Sequence, residues 1–177
     1  MKEINIFCFG FGQVAKNFIN KIKSENISIN LSVTSREKSQ NKIFKDISYK
    51  SFQFSEKTFD ASLIAKLQES DHILVSISPI NGTDIVINNF KKFLENKKLK
   101  WITYLSATSV YGDHNGEWVD ENSVTKPTSP NGVERLKVEK EWMQITNKFD
   151  LPFQIFRLSG IYSNQYNILK RLKSGDA

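Results

Sequence analysis

Short apolar runs alternate along the chain with segments whose apolar residues recur at helical spacing. The runs are Ile4–Phe9, Ile27–Val33, Tyr49–Phe54, Ile73–Ile77, Trp101–Leu105 and Pro152–Leu158. The helical segments are 14–22, Asp60–Gln68, Ile85–Leu94 and Val133–Lys148. Such an alternation is typical of βαβ units, whose parallel strands form one sheet with helices on its faces. The pattern predicts an α/β fold with a doubly wound parallel sheet flanked by helices.

Three segments depart from this rhythm. Residues 37–50 are polar and predict a loop or a short irregular helix, whereas residues 112–131 predict a long loop. Loops longer than about 12–15 residues are uncommon unless they serve a site or are mobile. The segment 167–173 can begin a helix, at which the chain stops. Because no linker or internal repeat interrupts the pattern, we predict a single domain over residues 1–177.

Two glycines separate the first strand from the first helix, in the run Gly10-Phe11-Gly12-Gln13-Val14-Ala15. Gly10 permits a tight turn, and Gly12 lets a pyrophosphate approach the backbone. Ala15 is small enough for the helix to pack closely on the strand, and the free N–H groups of the helix N-terminus attract phosphate. This G-x-G-x-x-A motif predicts a Rossmann-type dinucleotide site formed by Gly10, Gly12, Gln13, Val14 and Ala15. The alternative is a βα turn that binds no ligand.

The end of the second strand selects between dinucleotides. A carboxylate at this point accepts hydrogen bonds from the adenosine ribose and repels a 2′-phosphate. This chain instead has Thr34-Ser35-Arg36, followed by Lys38. Arg36 can bind a phosphate through two hydrogen bonds, and the Ser35 hydroxyl can donate another. We therefore expect NADP rather than NAD, unless Arg36 is only a surface arginine that follows a strand.

The stretch from Tyr104 to Asp113, Tyr-Leu-Ser-Ala-Thr-Ser-Val-Tyr-Gly-Asp, resembles the S-S-x-x-V-Y-G-D motif of the extended short-chain dehydrogenase/reductases, the NAD-dependent epimerase/dehydratase family. The similarity continues in Glu117–Glu121, in Pro127 and Pro130, and in Arg157–Tyr162. Together with the glycine turn, the resemblance covers nearly the whole chain.

The resemblance implies a nicotinamide cofactor across the carboxyl edge of a parallel sheet. It implies that Ile77, Ser78, Pro79 and Ser106 line this cofactor. It further implies a small-molecule substrate, such as a nucleotide sugar or another hydroxy or keto compound.

The chain differs from the family at the residues that transfer protons. Members carry a Tyr-x-x-x-Lys pair in which the tyrosine exchanges a proton with the substrate, while the lysine lowers its pKa and binds the nicotinamide ribose. Counting back from Glu139 places Arg135 at the lysine position and Asn131 at the tyrosine position. Asparagine has no accessible pKa near neutrality. Arg135 can bind the ribose or a phosphate, but it stays charged and cannot carry protons.

Other hydroxyls are then the candidate catalytic groups. The usual Ser/Thr position of the family falls on Ala107, with Ser106 and Thr108 on either side. We name Thr108, Ser106 and Tyr111 as candidates, although for Tyr111 the favoured alternative is a structural tyrosine at the strand end. His114 is a further titratable group, or simply an exposed loop histidine.

Family members continue beyond Gly160-Ile161-Tyr162 into a smaller substrate-binding part, which we expect to be largely absent here. Three functions remain open. The chain is an atypical NADP-dependent reductase or sugar-nucleotide epimerase/dehydratase that transfers protons through another group, or a non-catalytic NADP-binding sensor or regulatory protein. The third alternative is one inactive piece of a larger enzyme.

Composition argues against nucleic-acid binding and metal binding. The net charge of +6 comes mostly from lysine, with a cluster at Lys91, Lys92, Lys97, Lys98 and Lys100. No aromatic residues alternate with these lysines as a stacking platform requires, so we expect a solvated face and no nucleic-acid partner. Two histidines and one cysteine do not form a recognisable metal-ligand set.

The expected location is the cytoplasm. The single cysteine, Cys8, cannot form an internal disulfide, which fits a reducing compartment. No apolar run is long enough for a signal peptide or a membrane span, so we expect no membrane partner.

The helix 133–148 is the candidate surface for a homodimer. It carries Leu136 and Met143 outside its core stripe of Val138, Trp142 and Ile145. In the family that the chain resembles, flanking helices often pair across a two-fold axis, and such a pairing is isologous. The alternative is that both stripes are buried within one subunit.

Overall fold

A computed structural model describes residues 3–95, 98–163, 167, 172, 173 and 175. The strands are β1 (Ile4–Phe9), β2 (Ile29–Ser35), β3 (Gln40–Phe44), β4 (Ile47–Gln53), β5 (His72–Val75), β6 (Trp101–Ala107) and β7 (Phe153–Leu158). The helices are α1 (Gln13–Ser24), α2 (Leu63–Gln68), α3 (Ile85–Phe90) and α4 (Pro130–Lys148). Short 3-10 turns occupy Lys91–Phe93 and Thr108–Val110.

The seven strands form one sheet in the order β3-β4-β2-β1-β5-β6-β7. Every pairing is parallel except that of β3 with β4. The predicted α/β fold of Rossmann type is therefore confirmed. Because β1 lies between β2 and β5, the strand order reverses beside it, and such a switch point opens a crevice at the carboxyl ends of the strands.

The sheet is covered on both faces. Phe7 and Phe9 of β1 pack in the core that includes α3 and α4, and both are fully buried. Ile6 and Cys8 point to the opposite face, where α1 contributes Ala15 to a second core. This alternation along β1 is the two-residue period of a strand buried on both sides.

Residues 37–50 differ from the prediction of a loop or irregular helix. They form β3 and the first part of β4, joined by Lys45 and Asp46 at φ angles of 46° and 66°. Such a two-residue turn with positive φ is typical of a β-hairpin, although glycine or asparagine usually occupies it. β3 is an edge strand without a fully buried residue, so its polar composition concealed it.

The long loop is fastened at both ends to the end of β6. Gly112 has a φ of 73°, and any side chain there would overlap the Lys126 carbonyl. Gly132 lies against the Ser109 carbonyl in the same way. The Ser129 hydroxyl accepts a 3.1 Å hydrogen bond from the Gly132 N–H, so α4 begins before the predicted Val133.

The remaining helices are shorter than predicted or outside the description. α2 begins at Leu63 rather than Asp60, and α3 ends at Phe90 rather than Leu94. The helix predicted for 167–173 lies largely outside the described residues. Of the helices that the structure does describe, none combines the length and apolarity needed to cross a bilayer.

Candidate functional site

Two adjoining cavities occupy the crevice at the carboxyl ends of the strands. The larger, about 950 Å³, extends over β2 and β4 and is called the β2-side pocket here. The smaller, about 620 Å³, extends toward β6 and α4 and is called the β6-side pocket. Both are lined by Gly10, Gly12 and Ser78. The glycine turn therefore lies between two connected pockets.

Gly10 is required by the backbone and by its neighbours. Its φ is 85°, a conformation that L-residues with a Cβ rarely adopt. A Cβ at this position would also lie 2.8 Å from the Ser76 Oγ. The Gly10 N–H donates a 2.9 Å hydrogen bond to the Thr34 hydroxyl, which thereby holds the turn against the end of β2. Thr34 had no assigned role in the sequence, because only the pairing of β1 with β2 brings it to Gly10.

Gly12 is free of such constraints and lies beside open space. A Cβ there would meet nothing within 4 Å. Gly12 is the N-cap of α1, and among the described residues no side chain caps this helix and no acid occupies its first turn. The first N–H groups of α1 thus remain available to an anion in the β6-side pocket, which Gln13, Val14 and Ala15 also line.

Cationic and hydroxyl groups line the β2-side pocket. Ser35 and the exposed Arg36 lie at the end of β2, as expected. The Ser35 hydroxyl is within 3.0 Å of the Ser51 hydroxyl on β4. Lys42 also lines this pocket, although the sequence did not suggest it, because it lies on the unpredicted strand β3. Ile77 and Pro79 line the same pocket from the segment after β5.

Lys42 is paired with a carboxylate. Its ammonium group lies 2.6 Å from a Glu37 carboxylate oxygen. This hydrogen bond lowers the pKa of Glu37 and raises the pKa of Lys42.

Arg135 joins the ends of two strands on the wall of the β6-side pocket. One of its guanidinium nitrogens donates a 2.9 Å hydrogen bond to the Ser78 hydroxyl. The other terminal nitrogen donates a 3.2 Å bond to the Leu105 carbonyl of β6. Ser106 lines the same pocket, is 3% exposed, and its hydroxyl has no partner among the described residues.

The three candidate catalytic hydroxyls do not lie together. Ser106 lines the β6-side pocket, whereas Thr108 and Tyr111 line a separate cavity of about 690 Å³ beside β7. The guanidinium of Arg157 lies 4.8 Å from the Tyr111 ring in a cation–π contact, and Tyr111 is buried. Asn131 is exposed in the first turn of α4 and lines neither pocket.

Two other predicted groups have simple surroundings. A ring nitrogen of His114 lies 3.1 Å from the Val124 carbonyl, so this histidine helps to close the long loop. Within the described part of the chain, no three residues among His, Cys, Asp and Glu are grouped to hold a metal ion.

Comparison with known proteins supports the fold assignment. No protein-family model matches the sequence, and no curated protein matches it. A conserved protein of unknown function from Silicibacter pomeroyi DSS superposes with a TM-score of 0.74 and 26% identity, over 94% of this chain and 56% of that one. UDP-glucuronic acid 4-epimerase from Bacillus cereus, solved with NAD, superposes with a TM-score of 0.75 and 16% identity, over 96% of this chain and 63% of that one. UDP-N-acetylglucosamine 4-epimerase from Methanobrevibacter ruminantium M1 superposes with a TM-score of 0.74 and 15% identity, over 98% of this chain and 63% of that one.

At these identities the likeness establishes the fold, which this chain shares with the two epimerases. The chain spans between 56% and 63% of the length of these three structures.

Proposed function

We propose that the crevice binds a nicotinamide dinucleotide, with its pyrophosphate on Gly12 and the N-terminus of α1. One observation carries the proposal: the open space beside Gly12 adjoins an uncapped helix N-terminus between two connected pockets. A helix N-terminus combines free N–H donors with the positive end of the helix dipole, which suits a pyrophosphate. Adenosine would then occupy the β2-side pocket, and nicotinamide the β6-side pocket.

NADP is the proposed form of the dinucleotide. Arg36 and Lys42 line the β2-side pocket, and the residue at the end of β2 is Ser35 rather than an acid. Lys16 adds a third cation, whereas among the described residues Glu56 is the one acid that lines this pocket. The Bacillus cereus epimerase was solved with NAD, so the preference for a 2′-phosphate rests on the residues of this chain.

The proposed reaction class is hydride transfer between the nicotinamide and a hydroxy or keto compound, as in a reductase or a sugar-nucleotide epimerase/dehydratase. The support for this reaction class is that Ser106, one of the candidate catalytic hydroxyls, lines the β6-side pocket. Arg135 is proposed to bind the nicotinamide ribose from the wall of this pocket, since it supplies fixed positive charge and donors but no proton transfer.

A non-catalytic NADP-binding sensor is the second candidate. It is favoured by Asn131, which has no accessible pKa, occupies the position of the proton-transfer tyrosine in the resembled family and lines neither pocket. Incubation with NADPH and a panel of carbonyl compounds separates the two functions. Consumption of NADPH supports the enzyme, whereas tight binding without turnover supports the sensor.

Calorimetric titration with NADP⁺ and NAD⁺ tests the binding proposal, with Gly12→Ser as the matched variant. Serine is a favoured N-cap residue, so this variant should fold at least as well as the parent chain. Its side chain enters the space beside the turn and its hydroxyl competes for the free N–H groups, so affinity should fall at least about tenfold. Absence of binding to the parent chain would refute the proposal.

A further inference from the structure

We infer that Lys42, on the antiparallel strand β3, selects for the 2′-phosphate of NADP. In the absence of NADP, Glu37 forms an ion pair with the Lys42 ammonium group, and the 2′-phosphate displaces Glu37 when it binds. This inference rests on the dinucleotide site proposed above. It adds a specificity-determining residue and an internal competitor to that site.

The hairpin forms a continuous wall with the end of β2. In the sheet, Ser51 of β4 is paired with Val33 of β2, and its hydroxyl lies 3.0 Å from that of Ser35, two residues further along β2. Ser51 is opposite Gln40 of β3, and Lys42 is opposite Tyr49. Ser51, Tyr49 and Lys42 all line the β2-side pocket. The pocket therefore receives a lysine from β3, the edge strand that lies two strands away from β2 in the sheet.

The side chain of Lys42 faces two environments. It lines the pocket together with Arg36. Its ammonium nitrogen also lies 2.6 Å from a carboxylate oxygen of Glu37, a residue that does not line the pocket. Glu37 is also held by the Gln40 amide, which donates a 3.1 Å hydrogen bond to the same carboxylate oxygen. The exposed fractions of the Lys42 and Glu37 side chains are 32% and 64%, so solvent reaches the ion pair mainly from the side of Glu37.

Such an exposed ion pair is easily exchanged. Solvent-exposed pairs contribute little to stability because water screens them and two long side chains must be ordered. A 2′-phosphate carries more negative charge than a carboxylate and offers three acceptor oxygens to the same ammonium group. Within the described part of the chain, the other charged groups that line the pocket are Lys16, Arg36 and Glu56, so the phosphate would meet a net positive surface.

Substitution of each partner should change NADP⁺ affinity in opposite directions. Lys42→Gln removes one charged hydrogen bond, so NADP⁺ affinity should fall about tenfold while NAD⁺ affinity stays unchanged. Glu37→Gln removes the competitor, so NADP⁺ affinity should rise about threefold. In the double variant the benefit of Glu37→Gln should vanish, because no ammonium group remains to be released.

A second ion pair on the same hairpin provides the control. Lys23 of α1 lies 3.0 Å from the carboxylate of Asp46 in the β3–β4 turn, and neither residue lines the pocket. Lys23→Gln and Asp46→Asn make the same charge changes without touching the proposed phosphate site. Neither should change the ratio of NADP⁺ to NAD⁺ affinity.

Calorimetric titration of the full chain and these variants with NADP⁺ and NAD⁺ gives the test, with thermal melting to show that each variant is folded. The inference is overturned if Lys42→Gln weakens both dinucleotides equally or neither. It is also overturned if Glu37→Gln helps as much without Lys42 as with it. Should the parent chain bind neither dinucleotide, the proposed function itself fails, a result that these other outcomes cannot produce.

Discussion

Gly10 and Gly12 are two residues apart, but the structure gives them different reasons to be glycine. Gly10 is fixed by its positive φ and by the Ser76 hydroxyl behind it. Gly12 has an ordinary φ of −80° and open space before it. Stability should therefore depend on the first glycine, and ligand affinity on the second.

Gly10→Ala is predicted to lower the free energy of unfolding by about 1–3 kcal/mol, because the alanine must adopt a strained φ beside the Ser76 hydroxyl. Gly12→Ser should leave this free energy unchanged or raise it by up to about 1 kcal/mol, as serine is a good N-cap. Urea denaturation measures both. Equal losses at the two positions would contradict these separate roles.

Cys8 is a second residue whose behaviour follows from its surroundings. It is fully buried in the core beneath α1, and burial raises the pKa of its thiol to about 12. The thiolate is the reactive form. The native chain should therefore react with a thiol reagent only as fast as it unfolds, and addition of urea should release rapid reaction.

Burial of Cys8 also predicts a dependence of stability on pH. The unfolded thiol ionises near pH 8.5, whereas the folded thiol holds its proton to about pH 12. Between these values the unfolded state binds fewer protons, so stability should fall with rising pH, by at most about 1.4 kcal/mol per pH unit. Cys8→Ala should lack this part of the slope; an identical slope in both proteins would contradict the assignment.

At the scale of the elements, α4 is joined to the sheet by a buried ion pair. Its Glu139 is fully buried and binds Arg157 of β7 at 2.8 Å. The hydrogen bond to Glu139 raises the pKa of Arg157, whose guanidinium also lies over the Tyr111 ring. Arg135 lies one turn earlier on α4 and lines the β6-side pocket.

Arg157→Met is predicted to lower the free energy of unfolding by about 3–5 kcal/mol, because it leaves the carboxylate of Glu139 buried without its partner. Adding Glu139→Met should recover most of this loss, since apolar residues of similar volume replace a buried pair at little cost. Denaturation of the single and double variants measures the recovery. If the two losses simply added, the ion pair would not be the cause.

At the scale of the whole molecule, the exposed face of α4 remains the expected dimer surface. Of the two residues expected outside the core stripe, Met143 is 38% exposed and Leu136 is half-buried. Val133 of the same helix is 53% exposed, so this apolar surface is not fully covered within one subunit. Apolar side chains on one helix face can pair with a symmetry-related copy.

Light scattering of the purified chain should give the mass of a dimer, and Val133→Lys should shift it to the monomer by placing charge in the interface. Lys57→Gln, an exposed change outside α4, serves as the control. A monomer at all concentrations tested would contradict the dimer.

Local patterns in the sequence account for β1, the glycine turn and α1. In Ile4–Phe9 both strand faces are buried, which gives a continuous apolar run, and the spacing of Ala15 and Ile19 follows one turn of a helix. These signals arise from neighbours in the chain, so they can be found without knowledge of the fold. The edge strand β3 could not be predicted in this way, because it buries too little apolar surface to show an alternation of apolar and polar residues.

The composition of the site depends on contacts between distant parts of the chain. Thr34 reaches Gly10 because β1 and β2 are paired, and Lys42 reaches the pocket because β4 lies between β2 and β3. Thr108 lies only two residues from Ser106 in the chain but lines a different cavity, since the strand ends at Ala107 and a 3-10 turn redirects the backbone. Residue order therefore specifies the buried strands, the helices and the glycine turn, whereas strand pairing and side-chain direction specify which residues share a pocket.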